Sequence, residues 1–426
     1  MKAPKINVLT KARSFLFINT SLRQTVLKNA FWLFSGQTGG RAIRAIIVIY
    51  AARVLGTAGF GVASYALSLT GFFLIIADMG ISSLLTKHAA QKPDERDRYF
   101  ATLFILKCIC VGASFVMILA IGPLIAKIPE AAALLPLAGL VLVFDSLREF
   151  GLAMVRAREK MEYEAALSVI TNITTVTASF IFLTIETSPR ALLFGYAIGS
   201  GFGLTLALWA LRSYLKKTIT HFEIALVRTL ATQALPLAMT ALLGGTMLTV
   251  DMLMLGYFRT SPEVGLYSAV QKLIQIAYSI AGIAGISLFS TFSRLYTEDY
   301  QRFKELFNQS FRLMTVVSAA IAVLGILFAG PILTLVYGKA YIGGATAFRL
   351  LAATFLLLAP TEIGIHALLA AGKQKVFLYS APIGALSNAF LNAAFIPYWG
   401  ITGAALSTLI TQIAVNAYLW KKIREL

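Results

Sequence analysis

Five cations stand inside apolar stretches of the sequence: Arg41, Arg44, Lys107, Arg148 and Lys272. A charge near mid-bilayer costs about 2.5–3.5 kcal/mol on insertion scales, so a cation at that depth faces a cavity or a partner. Arg41 and Arg44 are three apart, on one face of a helix, and their own apolar run holds no acid. The planar fork of arginine fits phosphate oxygens, and desolvation strengthens the pairing. The chemistry expected of the five is the binding of a phosphorylated ligand in a cation-lined cavity. Internal ion pairing is the competing reading. Arg148 follows Asp145 by three residues and can be neutralised within its own helix, and Lys107 can snorkel toward the interface.

Acids are embedded as well: Asp78, Asp145, Glu149, Asp251 and Glu362, with His366 one turn beyond Glu362. Buried acids of this kind carry coupling protons or cations in transporters, or else hold helices together. No cofactor is expected, only coupling to a proton or sodium gradient. Cys108 and Cys110 point to different sides of a helix, and three scattered histidines offer no zinc set, so neither a disulfide framework nor a metal site is expected. No catalytic set is expected either. Gly39-Gly40 beside Arg41 permits close approach. Pro236, Gly244-Gly245 and Pro360 are places where a membrane helix can bend.

These residues need membrane-spanning elements to hold them. Of 426 residues, 58% are hydrophobic and 13% charged, about half the charge that a soluble domain carries. Apolar runs of about 20 residues match a helix crossing a hydrocarbon core of roughly 30 Å. They place twelve spans at roughly 29–52, 60–86, 100–122, 133–156, 163–185, 190–214, 230–258, 264–292, 307–329, 345–372, 375–397 and 400–420. With the N-terminus inside, 26 of the 37 Lys and Arg residues fall on the cytoplasmic side, 6 outside and 5 within spans. That bias predicts an inner-membrane protein with both termini cytoplasmic. It also explains the net charge of +18 without a nucleic-acid partner.

Residues 1–28 form a basic segment, read either as a surface-lying amphipathic stretch or as a solvated tail. The segment 293–306, with Tyr296, Tyr300 and Phe303 among charges, predicts a further interfacial helix. Phe60-Gly61-Val62-Ala63-Ser64-Tyr65 and Val264-Gly265-Leu266-Tyr267-Ser268-Ala269 read alike about 200 residues apart. Six spans separate them, so orientation is preserved and the repeats are parallel. The expected organisation is all-α, with two pseudo-symmetric six-helix lobes at 29–214 and 230–426 joined by a cytoplasmic linker at 215–229.

Several short segments, in order, carry a family resemblance. They are Asn29-Ala-Phe-Trp-Leu-Phe, Ala52-Arg53-Val54-Leu55-Gly56 followed by Phe60-Gly61, and Ala77-Asp78-Met79-Gly80. In the second half come Leu235-Pro236, Asp251-Met252-Leu253-Met254-Leu255-Gly256, Glu263 to Ala269, Val336-Tyr337-Gly338, Leu369 to Lys373 and Ile396 to Ala405. Over nearly its whole length the chain resembles the Wzx-like oligosaccharide flippases of the multidrug/oligosaccharidyl-lipid/polysaccharide exporter superfamily. The resemblance implies a V-shaped pair of lobes that alternate between inward- and outward-facing states. It implies an undecaprenyl-diphosphate-linked sugar unit as substrate, held in a cationic central cavity, and coupling to an ion gradient or the membrane potential. The expected partners are the lipid-linked oligosaccharide, membrane lipids, and the polysaccharide polymerase and chain-length machinery, with the chain itself working as a monomer. Arg41 and Arg44 lie outside the matched segments, so their role comes from the charge argument alone. The alternatives are a multidrug exporter of the same superfamily and a peptidoglycan-precursor flippase. A glycan polymerase or ligase would need a large outer loop, which the sequence lacks.

Overall fold

The computed structural model of the chain describes residues 22–426, so most of the basic N-terminal segment lies outside the described residues. Those described are helical almost throughout, with no strand among them. Two helical runs are too long for one crossing. Leu22–Asp78 has 57 residues, about 85 Å at 1.5 Å per residue against a core of roughly 30 Å. It breaks at Gly56 (φ 66°) into α1 (22–55) and α2 (57–78). Val376–Arg424 breaks at Gly400 (φ 54°) into α11 (376–399) and α12 (401–424). Both reversals use positive φ, which glycine adopts without a Cβ penalty.

Between them run α3 (Arg96–Ile125), α4 (Pro129–Ala157), α5 (Met161–Ile185), α6 (Pro189–Ala210), α7 (Ile224–Phe258), α8 (Ser261–Glu298), α9 (Tyr300–Leu327) and α10 (Ala345–Ala370). The twelve expected spans are therefore all present as helices. Local signals set several starts: Ser188 caps α6 by accepting the Ala191 N–H, and Thr260 with Glu263 forms a capping box at α8. α7 runs on through positions 236 and 244–245, whose side chains lie outside the described residues. α10 continues through Pro360.

Two local expectations need correction, and one connection carries structure of its own. The span expected at 60–86 ends at Asp78, because Met79 (φ 43°) and Gly80 (φ 74°) leave the helix. Ile81–Gln91 is a separate helix that buries Ile81, Leu84, Leu85 and Ala89 against Tyr99, Phe100 and Phe150. The apolar pattern passes through the break without a gap, so periodicity could not show it. No separate interfacial helix forms at 293–306. There α8 and α9 meet at Asp299, and Phe292, Tyr296 and Phe307 pack around buried Phe303 with ring centroids 5.3–6.2 Å away. The aromatic stripe is thus the inner face of a helix pair rather than a face laid on lipid. Finally, the connection between α9 and α10 contains a helix at Ala329–Tyr337 and a 3₁₀ turn at Lys339–Gly344.

α1–α6 pack mainly among themselves, as do α7–α12, and α8 against α1–α2 makes the main contact between the two groups. Within the first group α5 and α6 approach unusually closely. Gly195, Gly199 and Gly203 lie directly against Ser179, Thr175 and Thr171, where a methyl on any of them would come within 2.4 Å of its neighbour. Small residues at four-residue spacing let helix backbones meet in this way.

Candidate functional site: a cation layer and a buried carboxylate

α1 and α8 bring together three of the five embedded cations. The Arg41 Nη1 donates to Ser279 Oγ of α8 at 3.3 Å. The Arg44 guanidinium lies 5.4 Å from the ring centroid of buried Tyr196 on α6. Its buried Nε has no hydrogen-bond partner among the described residues. Lys272 lies on α8, which packs against the α1–α2 run. Lys272 and Ser279 are seven residues apart, two helical turns, and so share a face of α8. Among the described residues none of these three cations forms an ion pair. Placing unpaired like charges together is unfavourable unless an anion or water joins them.

The other two cations have partners. Lys107 is fully buried, with its Nζ 2.6 Å from an Asp78 carboxylate oxygen, and that oxygen also accepts the Ser82 hydroxyl at 2.5 Å. Lys107 therefore ties α3 to the end of α2 and does not reach an interface. Arg148 pairs with Asp145 at 3.1 Å on its own helix, and its Nε is buried without a partner among the described residues. Glu149 accepts from Arg156 at 2.5 Å, and the same guanidinium holds Glu164 at 2.8–3.0 Å. Glu362 is half-buried on α10. His366 places its Nδ1 2.9 Å from the Glu362 carbonyl oxygen and packs on Gly285 of α8.

Asp251 has a different setting. It is 3% exposed, on α7, and among the described residues its carboxylate accepts only from neutral groups. These are Tyr267 Oη of α8 at 2.6 Å, Asn392 Nδ2 of α11 at 2.6 Å and Thr408 Oγ1 of α12 at 2.8 Å. Asn392 also donates to Asn388 Oδ1 at 3.0 Å, and its own Oδ1 has no partner among the described residues. The cluster is a buried carboxylate with no cationic partner among the described residues, ringed by hydroxyls and an amide N–H, a setting that suits uptake of a proton or a monovalent cation. Among the described residues no three His, Cys, Asp or Glu side chains gather as a metal site. Sequence reasoning found Asp251 but missed Tyr267, Asn388, Asn392 and Thr408. The one available signal was the pair of asparagines four apart in an apolar run, which shares one helix face.

Comparison with known proteins bears on the chain as a whole. A protein of Shigella flexneri named as an O-antigen transporter is 24% identical over 91% of this chain and 95% of its own length. The succinoglycan biosynthesis transport protein of Rhizobium meliloti is 23% identical over 94% of this chain and 81% of its own. Among solved structures, the lipid II flippase MurJ in an inward closed conformation superposes with a TM-score of 0.75 at 17% identity. That match covers 92% of this chain and 87% of the flippase. A MatE family model matches residues 236–394. The polysaccharide biosynthesis protein model matches residues 26–296, well over half of the sequence, and the chain belongs to that family.

Proposed function

We propose that this chain is a flippase that carries a lipid-linked oligosaccharide across the inner membrane by alternating access of its two six-helix groups, with both termini cytoplasmic. The unpaired layer of Arg41, Arg44 and Lys272 carries the reading. A diphosphate supplies the negative charge that these groups lack, and a guanidinium binds it in fork geometry. The substrate is an undecaprenyl-diphosphate-linked repeat unit of O-antigen, capsule or exopolysaccharide, its lipid tail remaining in the bilayer. Relatives named for O-antigen and succinoglycan transport support that class. Arg148 and Lys107 are outside the unpaired layer, each already neutralised by an acid. Asp251 and its neutral donors are the coupling site for a proton or sodium ion.

The MatE match over 236–394 favours a second reading, export of cationic drugs. Such cargo needs an acidic cavity, whereas the layer shared by α1 and α8 is cationic.

The test is complementation of a strain lacking its oligosaccharide flippase, at matched membrane abundance. The intact chain should restore surface glycan, and Arg41→Ala/Arg44→Ala should lose at least tenfold of it. Full restoration by the double variant would remove the cation layer from the mechanism. Drug resistance conferred without glycan export would favour the second reading.

A further inference from the structure

The two halves of the internal repeat meet each other. Thr57 and Gly61 of α2, and Ser261 and Gly265 of α8, are small residues four apart, and the two pairs interlock. A methyl on Gly61 would stand 1.8 Å from the Ser261 carbonyl oxygen, and one on Gly265 would stand 1.9 Å from the Thr57 carbonyl oxygen. One turn further in, Ser268 Oγ donates to Ser64 Oγ at 2.9 Å, a pair 204 positions apart, like Thr57 with Ser261. The closure is therefore pseudo-twofold and made largely of backbone. Cα–H···O contacts of this kind are individually weak, so the interlock is tight yet releasable.

Over it lies an element that only the second half possesses. The α9–α10 connection holds the helix Ala329–Tyr337 and the turn Lys339–Gly344, whereas the matching α3–α4 connection is only residues 126–128. The Arg53 guanidinium of α1 donates to the Val336 carbonyl at 2.7 Å and to the Leu335 carbonyl beside it. Those are last-turn acceptors of a helix, where a cation is favoured. Buried Tyr341 donates its hydroxyl to the Ala52 carbonyl at 2.8 Å. The segment's other side presents exposed Phe328, Leu335 and Ile342, an apolar face suited to the outer membrane interface in the orientation proposed above.

We propose that residues 329–344 are an outer clasp: they grip the end of α1, hold the Gly61–Gly265 interlock shut, and must release Arg53 before the outer side opens. The proposal rests on the transporter reading only in requiring that the outer side opens at all.

The experiment uses a Cys108→Ser/Cys110→Ser background with Ser64→Cys as reporter and a membrane-impermeant maleimide applied from outside. Weak labelling is expected with the clasp intact. Arg53→Gln/Tyr341→Phe should raise it several-fold at equal membrane abundance. A second variant, Ser64→Cys/Ser268→Cys, oxidised with copper phenanthroline, should lose glycan export and regain it on reduction. Unchanged labelling in the Arg53/Tyr341 variant overturns the clasp. So does an equal rise from Arg349→Gln, which frees only the Ile326 carbonyl at the same end. A chain that labels as expected but never exports glycan sinks the flippase reading and leaves the clasp standing.

Discussion

Asp78→Leu strands the Lys107 ammonium, which has no exposed surface, without its counter-charge at 2.6 Å. Breaking a buried ion pair from one side costs about 3–5 kcal/mol. Asp78 is 32% exposed, so water softens the loss and the lower end, about 3 kcal/mol, is expected. At about 1.4 kcal/mol per tenfold, the folded population falls a little over a hundredfold relative to the unfolded. The Ser82 hydroxyl loses its acceptor in the same step. The assay is thermal unfolding of detergent-purified protein followed by tryptophan fluorescence, together with membrane abundance. The compensating variant Asp78→Leu/Lys107→Met removes both charges at similar volume and should recover most of the loss, because an apolar pair can replace a buried ionic one. A single variant as stable as the parent but inactive in complementation would refute the reasoning, since the pair would then serve transport and not structure. So would a double variant no more stable than the single.

Gly199→Ala places a methyl 2.1 Å from Thr175 Oγ1 and 2.4 Å from its Cα, and overpacking there should cost about 1–3 kcal/mol. Gly39→Ala, with open space around it inside α1, should leave the melting temperature unchanged or slightly raised, because alanine is the better helix former. Asp251→Asn turns an acceptor into a donor facing Tyr267, Asn392 and Thr408. It should cost about 1–3 kcal/mol and abolish any difference in transport between sodium and choline buffers; a retained sodium dependence would move coupling away from Asp251.

Helix number and order were legible because apolar run length and the distribution of Lys and Arg are set by the bilayer, which acts on sequence locally. Two cations that looked like exceptions to the positive-inside bias have structural employment. Arg53 binds the end of Ala329–Tyr337, and Arg259 donates to the Ile396 and Pro397 carbonyls where α11 ends at Gly400. Pairings between helices were not legible. Lys107 and Asp78 are 29 positions apart on neighbouring elements, and nothing in either segment announces the other. Asn388, Asn392 and Thr408 are neutral and escape a search based on charge. The break at Met79-Gly80 was hidden because its positive φ at methionine has no compositional marker. The repeat was visible as similarity, but its physical meaning, that the two copies touch, appears only in three dimensions.

The glycine ladder joining α5 to α6 bears on how the flippase proposed above can change its cargo. Gly195, Gly199 and Gly203 bring no side chains to trim, and the residues opposite have no room to grow. Neither drift nor directed selection can repack that seam without pushing the two helices apart. Variants selected for a bulkier or differently branched sugar should therefore accumulate on the facing surfaces of α1 and α8, around Gly39 and Ser279, leaving the α5–α6 pair untouched as a fixed wall.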